Sequence, residues 1–207
     1  MHQCESKLKP SGNYIKDQPV LTENMRSILI DWLVDVSVHF EVACETLHYA
    51  VCYIDRVLSA MTIDKTKLQL VGVTCMKIAD VFNENSREYY RQENAHEYAY
   101  ITADEYTGQQ VIDMEKTILN LLGFKLHSPT SLRFLRAFLK LLSFPEKVET
   151  LALYLVDLML LSFDTIRFPS SLIAASALFL AAKAYDIEIP AAMQLELRDE
   201  LSWQSFD

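Results

Sequence analysis

A chain of 207 residues, 51% hydrophobic and 23% charged, holds enough apolar material for one large or two small globular domains and is excluded from general disorder. Nineteen basic against twenty-eight acidic residues leave a net charge of −9, so a phosphate-tracking surface would have to form against the overall field, and nucleic acid is not an expected partner. Four cysteines without CxxC spacing suit a reducing compartment better than a disulfide framework, and no apolar run reaches the ~20 residues a bilayer requires, so an intracellular protein is expected.

Residues 1–21 are polar, contain Pro10, Gly12 and Pro19, and read as a short arm lying on the surface. Their start is abrupt, as if a longer segment preceded it. Thr22 can cap the first helix, with Glu23 favourable in its first turn, and that helix fades near Glu41. Its stretch MRSILIDWLVDV (25–36), wound at roughly 100° per residue, joins Phe40 in gathering Met25, Ile28, Leu29, Trp32, Leu33 and Val36 into one apolar band. The band is about 140° wide, more than a core alone needs. Met25, Ile28 and Trp32 run along one edge beside Asp35, and that edge is expected to line a surface groove while the rest faces inward.

A second helix over 45–59 repeats Leu47, Ala50, Val51, Ile54, Val57 and Leu58 at spacings of three and four. The third, over 64–82, is apolar throughout its middle and is expected to be surrounded by others. Residues 83–95 are polar and tyrosine-rich, read as a loop and a short helix. Thr102 with Glu105 has the form of a capping box for the next helix, which stops at Gly123. His127, Ser128 and Pro129 mark a boundary. Beyond it, Thr130 caps a helix through Leu142, Ser143 with Glu146 forms a second capping box around Pro145 for a helix reaching Phe163, and Pro169 precedes a helix over 171–185.

One constant offset sets Gly72 opposite Ala175, Ala79 opposite Ala182 and Phe82 opposite Tyr185, so the small-residue faces of the two central helices share a register. The expected architecture is all-α: an arm (1–21), a five-helix module (22–127) and a second copy (128–207) that stops at Asp207 as its fifth helix would begin.

Catalytic patterns are missing. Four scattered glycines build neither a P-loop nor a dinucleotide fingerprint, there is no nucleophile elbow, and HEYAY at His96 lacks the second histidine of a zinc helix. Cys44, His48 and Cys52 stack at four-residue spacing, but zinc requires a fourth ligand; a packed, slightly polar helix face is the alternative. No cofactor or metal is expected. Arg26 and Asp55 each lie within apolar surroundings. They can meet across antiparallel helices as a buried charge-assisted bond, or each can be solvated.

The segments MRSILIDWLVDV, ETLHYAVCYIDRVLS, KLQLVGVTCMKIA, YITADEYT and ME-TILNLLGF, in that order, closely resemble the cyclin box of A- and B-type cyclins. The likeness extends from LKPSGNYIKDQP in the arm to RFPSSLIAASALFLAAK in the second copy. It implies two tandem five-helix cyclin folds, the second truncated before its last helix, that bind and activate a cyclin-dependent protein kinase by pressing on its regulatory helix. The cyclin itself contributes no catalytic group. The resemblance also implies that Arg26 and Asp55 form a buried structural pair, and that the protein works in the nucleus and cytoplasm.

By the same resemblance, Met25, Ile28, Leu29, Trp32, Asp35, Leu68, Gln69 and Ile101 form a groove for basic, leucine-containing motifs of substrates and inhibitors. Apolar walls would bury the leucine, Trp32 would anchor it and Asp35 would pair with the basic residue. Phe82, Glu115, Leu119, Phe124 and Leu126 would face the kinase. Val81 departs from the pattern: the family's SKFEE reads DVFNE here, and the missing lysine is the one that, with the glutamate at Glu115, hydrogen-bonds the kinase main chain. Valine cannot donate. The loop from Asn83 also departs, lacking the family's prolines and running several residues longer, near the kinase-facing end. Two other readings stand beside kinase regulation: a cyclin-like adaptor that binds peptides or an atypical kinase without activating it, and a general-initiation transcription factor built on paired cyclin folds, which the acidic balance disfavours.

Overall fold

The computed structural model describes residues 8–84 and 91–188, with backbone alone at 91–93. All regular elements among the described residues are helices. α1 (Glu23–His39), α2 (Cys44–Ala60), α3 (Leu68–Asn83), α4 (Arg91–Tyr100) and α5 (Gly108–Leu122) precede the boundary at His127; α6 (Ser131–Leu141), α7 (Glu146–Met159) and α8 (Ser170–Ala184) follow it. Single 3₁₀ turns lie at Tyr14–Asp17, Lys65–Lys67 and Phe163–Arg167.

Helix ends follow from local chemistry. The Thr22 and Thr130 side chains accept the N–H groups of Met25 and Arg133, each satisfying one orphan donor of a first turn. Gly123 ends α5 in the left-handed conformation at φ 58°, which costs glycine no Cβ clash. Several boundaries differ from the sequence reading. The capping box of α5 is Thr107 with Gln110, not Thr102 with Glu105; Thr102 closes the end of α4 instead, its hydroxyl donating to Ala99 O at 2.6 Å. α7 starts behind Pro145 without a side-chain cap, so Ser143 with Glu146 is no capping box, and α7 ends at Met159 rather than Phe163. α3 begins at Leu68 rather than at 64, after a 3₁₀ turn capped by Asp64.

Two cores result. In the first, α3 is enclosed: every residue from Leu68 to Asp80 except Gln69 is buried, against Leu29, Leu33, Tyr53, Ile54 and Ile118 of the surrounding helices. A Cβ on Gly72 would stand 2.7 Å from Leu29 Cδ1, so the absent side chain is what lets α1 approach. The second core forms around α8, where Ala174, Ala177, Leu178 and Ala181 pack on Leu135 of α6 and Val148, Ala152 and Val156 of α7. Gly72 and Ala175, and Ala79 and Ala182, are thus buried on the central helix of each module. Phe82 and Tyr185 are less alike: Phe82 packs on the first core, whereas Tyr185 is 40% exposed beneath Lys147 Nζ at 4.5 Å.

The arm does more than lie on the surface. Tyr14, Gln18 and Leu21 are buried, and the Gln18 amide donates to Leu58 O (2.7 Å) and Met61 O (2.8 Å) while accepting from Ile63 N (3.1 Å). One glutamine therefore satisfies three main-chain groups where α2 ends. The fifth helix expected in the second copy, the central part of the loop after Asn83 and Cys4 lie outside the described residues.

Candidate functional site

A densely bonded polar cluster forms where arm, α1 and α2 meet the end of α7. Arg26 donates from Nε to Asp55 Oδ1 (2.7 Å) and from Nη2 to Asp55 Oδ2 (2.8 Å), a two-pronged fit of guanidinium to carboxylate. Tyr14 Oη donates to the same Oδ1 at 2.7 Å, and Arg26 Nη1 donates to Leu160 O at 2.9 Å. Burial opposes the charge on Arg26, but Asp55 outweighs it and the guanidinium stays above its ordinary range. Burial first, then the Asp55 carboxylate, push the Tyr14 phenol upward. Ser27 adds a bond from Oγ to Leu161 O at 2.8 Å. The first turn of α1 thereby takes the carbonyls left open past the end of α7.

Further bonds cross between the modules. His48 Nε2 lies 2.8 Å from Asp157 Oδ1, Arg133 Nη1 donates to Tyr49 Oη at 3.0 Å, and Arg136 pairs with Glu45. His48 is therefore bound to a carboxylate of α7. Cys44 is exposed, and among the described residues no three histidine, cysteine or acidic side chains are gathered to hold a metal. The thiols of Cys52 and Cys75 are both pushed up by burial, which opposes thiolate chemistry. Nor is any helix among the described residues long and apolar enough to cross a membrane.

The wide apolar band of α1 divides. Leu29, Leu33 and Val36 are buried, Met25 and Trp32 are half-buried and packed against the first core, and Ile28 is 60% exposed. Asp35, about two turns along the helix from Ile28, is exposed; Gln69 and Ile101 are half-buried and Leu68 is buried. Leu29 and Leu68 are thus largely core, and the residues with accessible apolar surface are Met25, Ile28, Trp32 and Ile101.

A second accessible surface lies where α3 and α5 end. Val81 is 52% exposed and Phe124, at φ 57°, is 66% exposed. Phe82, Leu119 and Leu126 are half-buried on the first core, with the Phe82 ring edge-on to Tyr49 at 5.4 Å. Glu115 is bound by Lys77, whose Nζ donates to Oε1 at 2.8 Å. Sequence reasoning missed this pair. Its signal was one lysine amid the apolar run of α3, which spacing alone cannot connect to a residue of α5.

The family models of the cyclin N-terminal and C-terminal domains match residues 1–127 and 129–198. The chain belongs to the cyclin family. Cyclin-A2 of Xenopus laevis is 42% identical over 182 residues, 87% of this chain and 43% of that protein. The chain thus spans less than half the length of that A-type relative. Among solved structures, the cyclin fold of a viral cyclin from herpesvirus saimiri superposes with a TM-score of 0.77 at 20% identity, covering 97% of this chain and 94% of the viral one. A chain of the yeast RNA polymerase II CTD kinase complex CTDK-1 superposes at 0.68 with 17% identity, covering 91% and 62%. These two likenesses concern the fold. The A-type relative is what places the sequence near one branch of the cyclins.

Proposed function

We propose that the chain is the regulatory subunit of a cyclin-dependent Ser/Thr protein kinase, acting in cell-cycle control in the nucleus and cytoplasm and recruiting substrates through the α1 groove. The observation that carries the reading is the A-type cyclin sequence, with Val81 and Phe124 exposed where α3 and α5 end. Val81, Phe82, Glu115, Leu119, Phe124 and Leu126 would meet the kinase, and the cyclin would supply position rather than chemistry. Recovery of a cyclin-dependent kinase with the purified chain from its native source tests this; consistent failure to recover one sinks it.

In the groove, Met25, Ile28, Trp32 and Ile101 offer the apolar surface for a leucine, and exposed Asp35 offers the counter-charge for a basic residue. Trp32→Ala should weaken a basic-leucine peptide by more than about 1 kcal/mol while the fold survives, read by titration calorimetry and circular dichroism together. Loss of folding would assign Trp32 to the core.

A second reading, a peptide-binding adaptor that does not activate a kinase, is favoured by one observation: Val81 stands on the surface and cannot donate. Full activity of the reconstituted pair, unchanged by Val81→Lys, would remove it.

A further inference from the structure

Lys77 lies in the enclosed helix α3 with no exposed side-chain surface, yet the Glu115 side chain it binds is 16% exposed. An ammonium withdrawn from water in this way persists where an opposite charge meets it. The pair therefore runs outward from the core: Lys77 Nζ is the inner end, Glu115 Oε1 the contact at 2.8 Å, and Oε2 takes no hydrogen bond among the described residues. Four residues along α3 from Lys77 is exposed Val81, and four along α5 from Glu115 is Leu119, so helical spacing places the carboxylate beside the apolar surface that ends in Phe124.

We propose that Lys77 is a positioning residue for partner binding, fixing Glu115 from beneath so that Oε2 accepts a backbone N–H of the kinase. The inference rests on the regulatory reading above and identifies how the interface works without a surface amine at position 81. A glutamate free to rotate would have to be ordered when the partner binds; one held by a cation in the core is already ordered. The carboxylate remains an acceptor on its outer oxygen because the lysine occupies only the inner one.

The experiment is a double-mutant cycle on affinity for the cyclin-dependent kinase catalytic subunit that co-purifies with the wild-type chain, with thermal unfolding recorded on the same samples. Lys77→Met keeps an unbranched apolar stem, and together with Glu115→Ala it isolates the coupling. Each single change should weaken binding about tenfold, the scale of one charge-assisted hydrogen bond. The double change should be no worse than either, and Val81→Lys should restore affinity to Lys77→Met. Effects that multiply, an unaffected Lys77→Met, or failure of that rescue would each overturn the assignment. If Lys77→Met does not fold, Glu115→Gln serves: its oxygen can still accept from Lys77, but the outer amide cannot accept from the kinase, so unchanged affinity would overturn the role of Oε2. A wild-type chain that retains no kinase overturns the regulatory reading itself, a result distinct from a chain that binds and shows no coupling.

Discussion

Among the described residues, the ion pairs Arg26–Asp55 and Lys77–Glu115 each withdraw a cation from water, and their constructions differ. Around Asp55, three donors from two residues occupy both carboxylate oxygens, and the guanidinium spends a further N–H on a carbonyl past the end of α7. Around Glu115, a single lysine donor occupies one oxygen and the side chain still reaches solvent. The first pair is closed: its groups are satisfied within the molecule, and removing any member leaves another stranded in low dielectric. The second is open on one side, so water or a partner can complete it. Similar residue types thus serve cohesion in one place and presentation in the other, and the number of satisfied oxygens distinguishes them.

The largest expected effect breaks the closed pair. Asp55→Ala leaves Arg26 buried without its carboxylate and should cost about 3–5 kcal/mol in urea unfolding; a loss below about 1 kcal/mol would show that the pair is effectively solvated. Lys77→Met should be milder, about 1–2 kcal/mol, because the stranded Glu115 can turn to water. Equal losses at the two sites would erase the distinction between closed and open. Removing only the third donor, Tyr14→Phe, should cost about 1 kcal/mol, measured the same way.

The smallest effect concerns pH. The Tyr14 phenol is raised in the folded protein by burial and then by Asp55, so its folded pKa exceeds its unfolded one. Its contribution is therefore complete below the ordinary phenol range near ~10 and is lost as pH climbs beyond it. The urea midpoint should fall at alkaline pH, and Tyr14→Phe should make that fall shallower. Tyr53 and Cys75, also raised chiefly by burial, keep it from disappearing. A Tyr14→Phe profile parallel to wild type would show that the phenol ionises freely in the folded state.

Much of the fold was legible because it depends on local grammar. Thr22, Thr130 and Gly123 end helices through their own side-chain or backbone properties, and the small-residue register of α3 and α8 is visible in the sequence. Thr102 and Thr107 show the limit: both are followed three residues later by a residue able to complete a box, and the choice depends on where α4 ends, which is a matter of packing. The exposed edge of α1 was partly legible, since a helix wider in apolar surface than its core needs leaves some of that surface outside it, as at Ile28. Leu29 shows why the division was blurred: its burial depends on Gly72, distant in sequence, leaving room for it. Lys77 was hidden for the same reason. Its partner lies on another helix, and a lysine in an apolar run acquires meaning only when the helices are assembled.

The hydrogen bonds from Arg26 and Ser27 to Leu160 and Leu161 bear on how the molecule comes apart. The helix that opens the first module serves as the terminal cap for a helix of the second, and Tyr14 of the arm packs edge-on against Phe163 at 5.1 Å. Neither module keeps these groups satisfied when the other is lost, so melting one raises the free energy of the other. The duplicated sequence should therefore unfold as one cooperative unit, and either module expressed alone would carry unfilled polar groups at the cut surface.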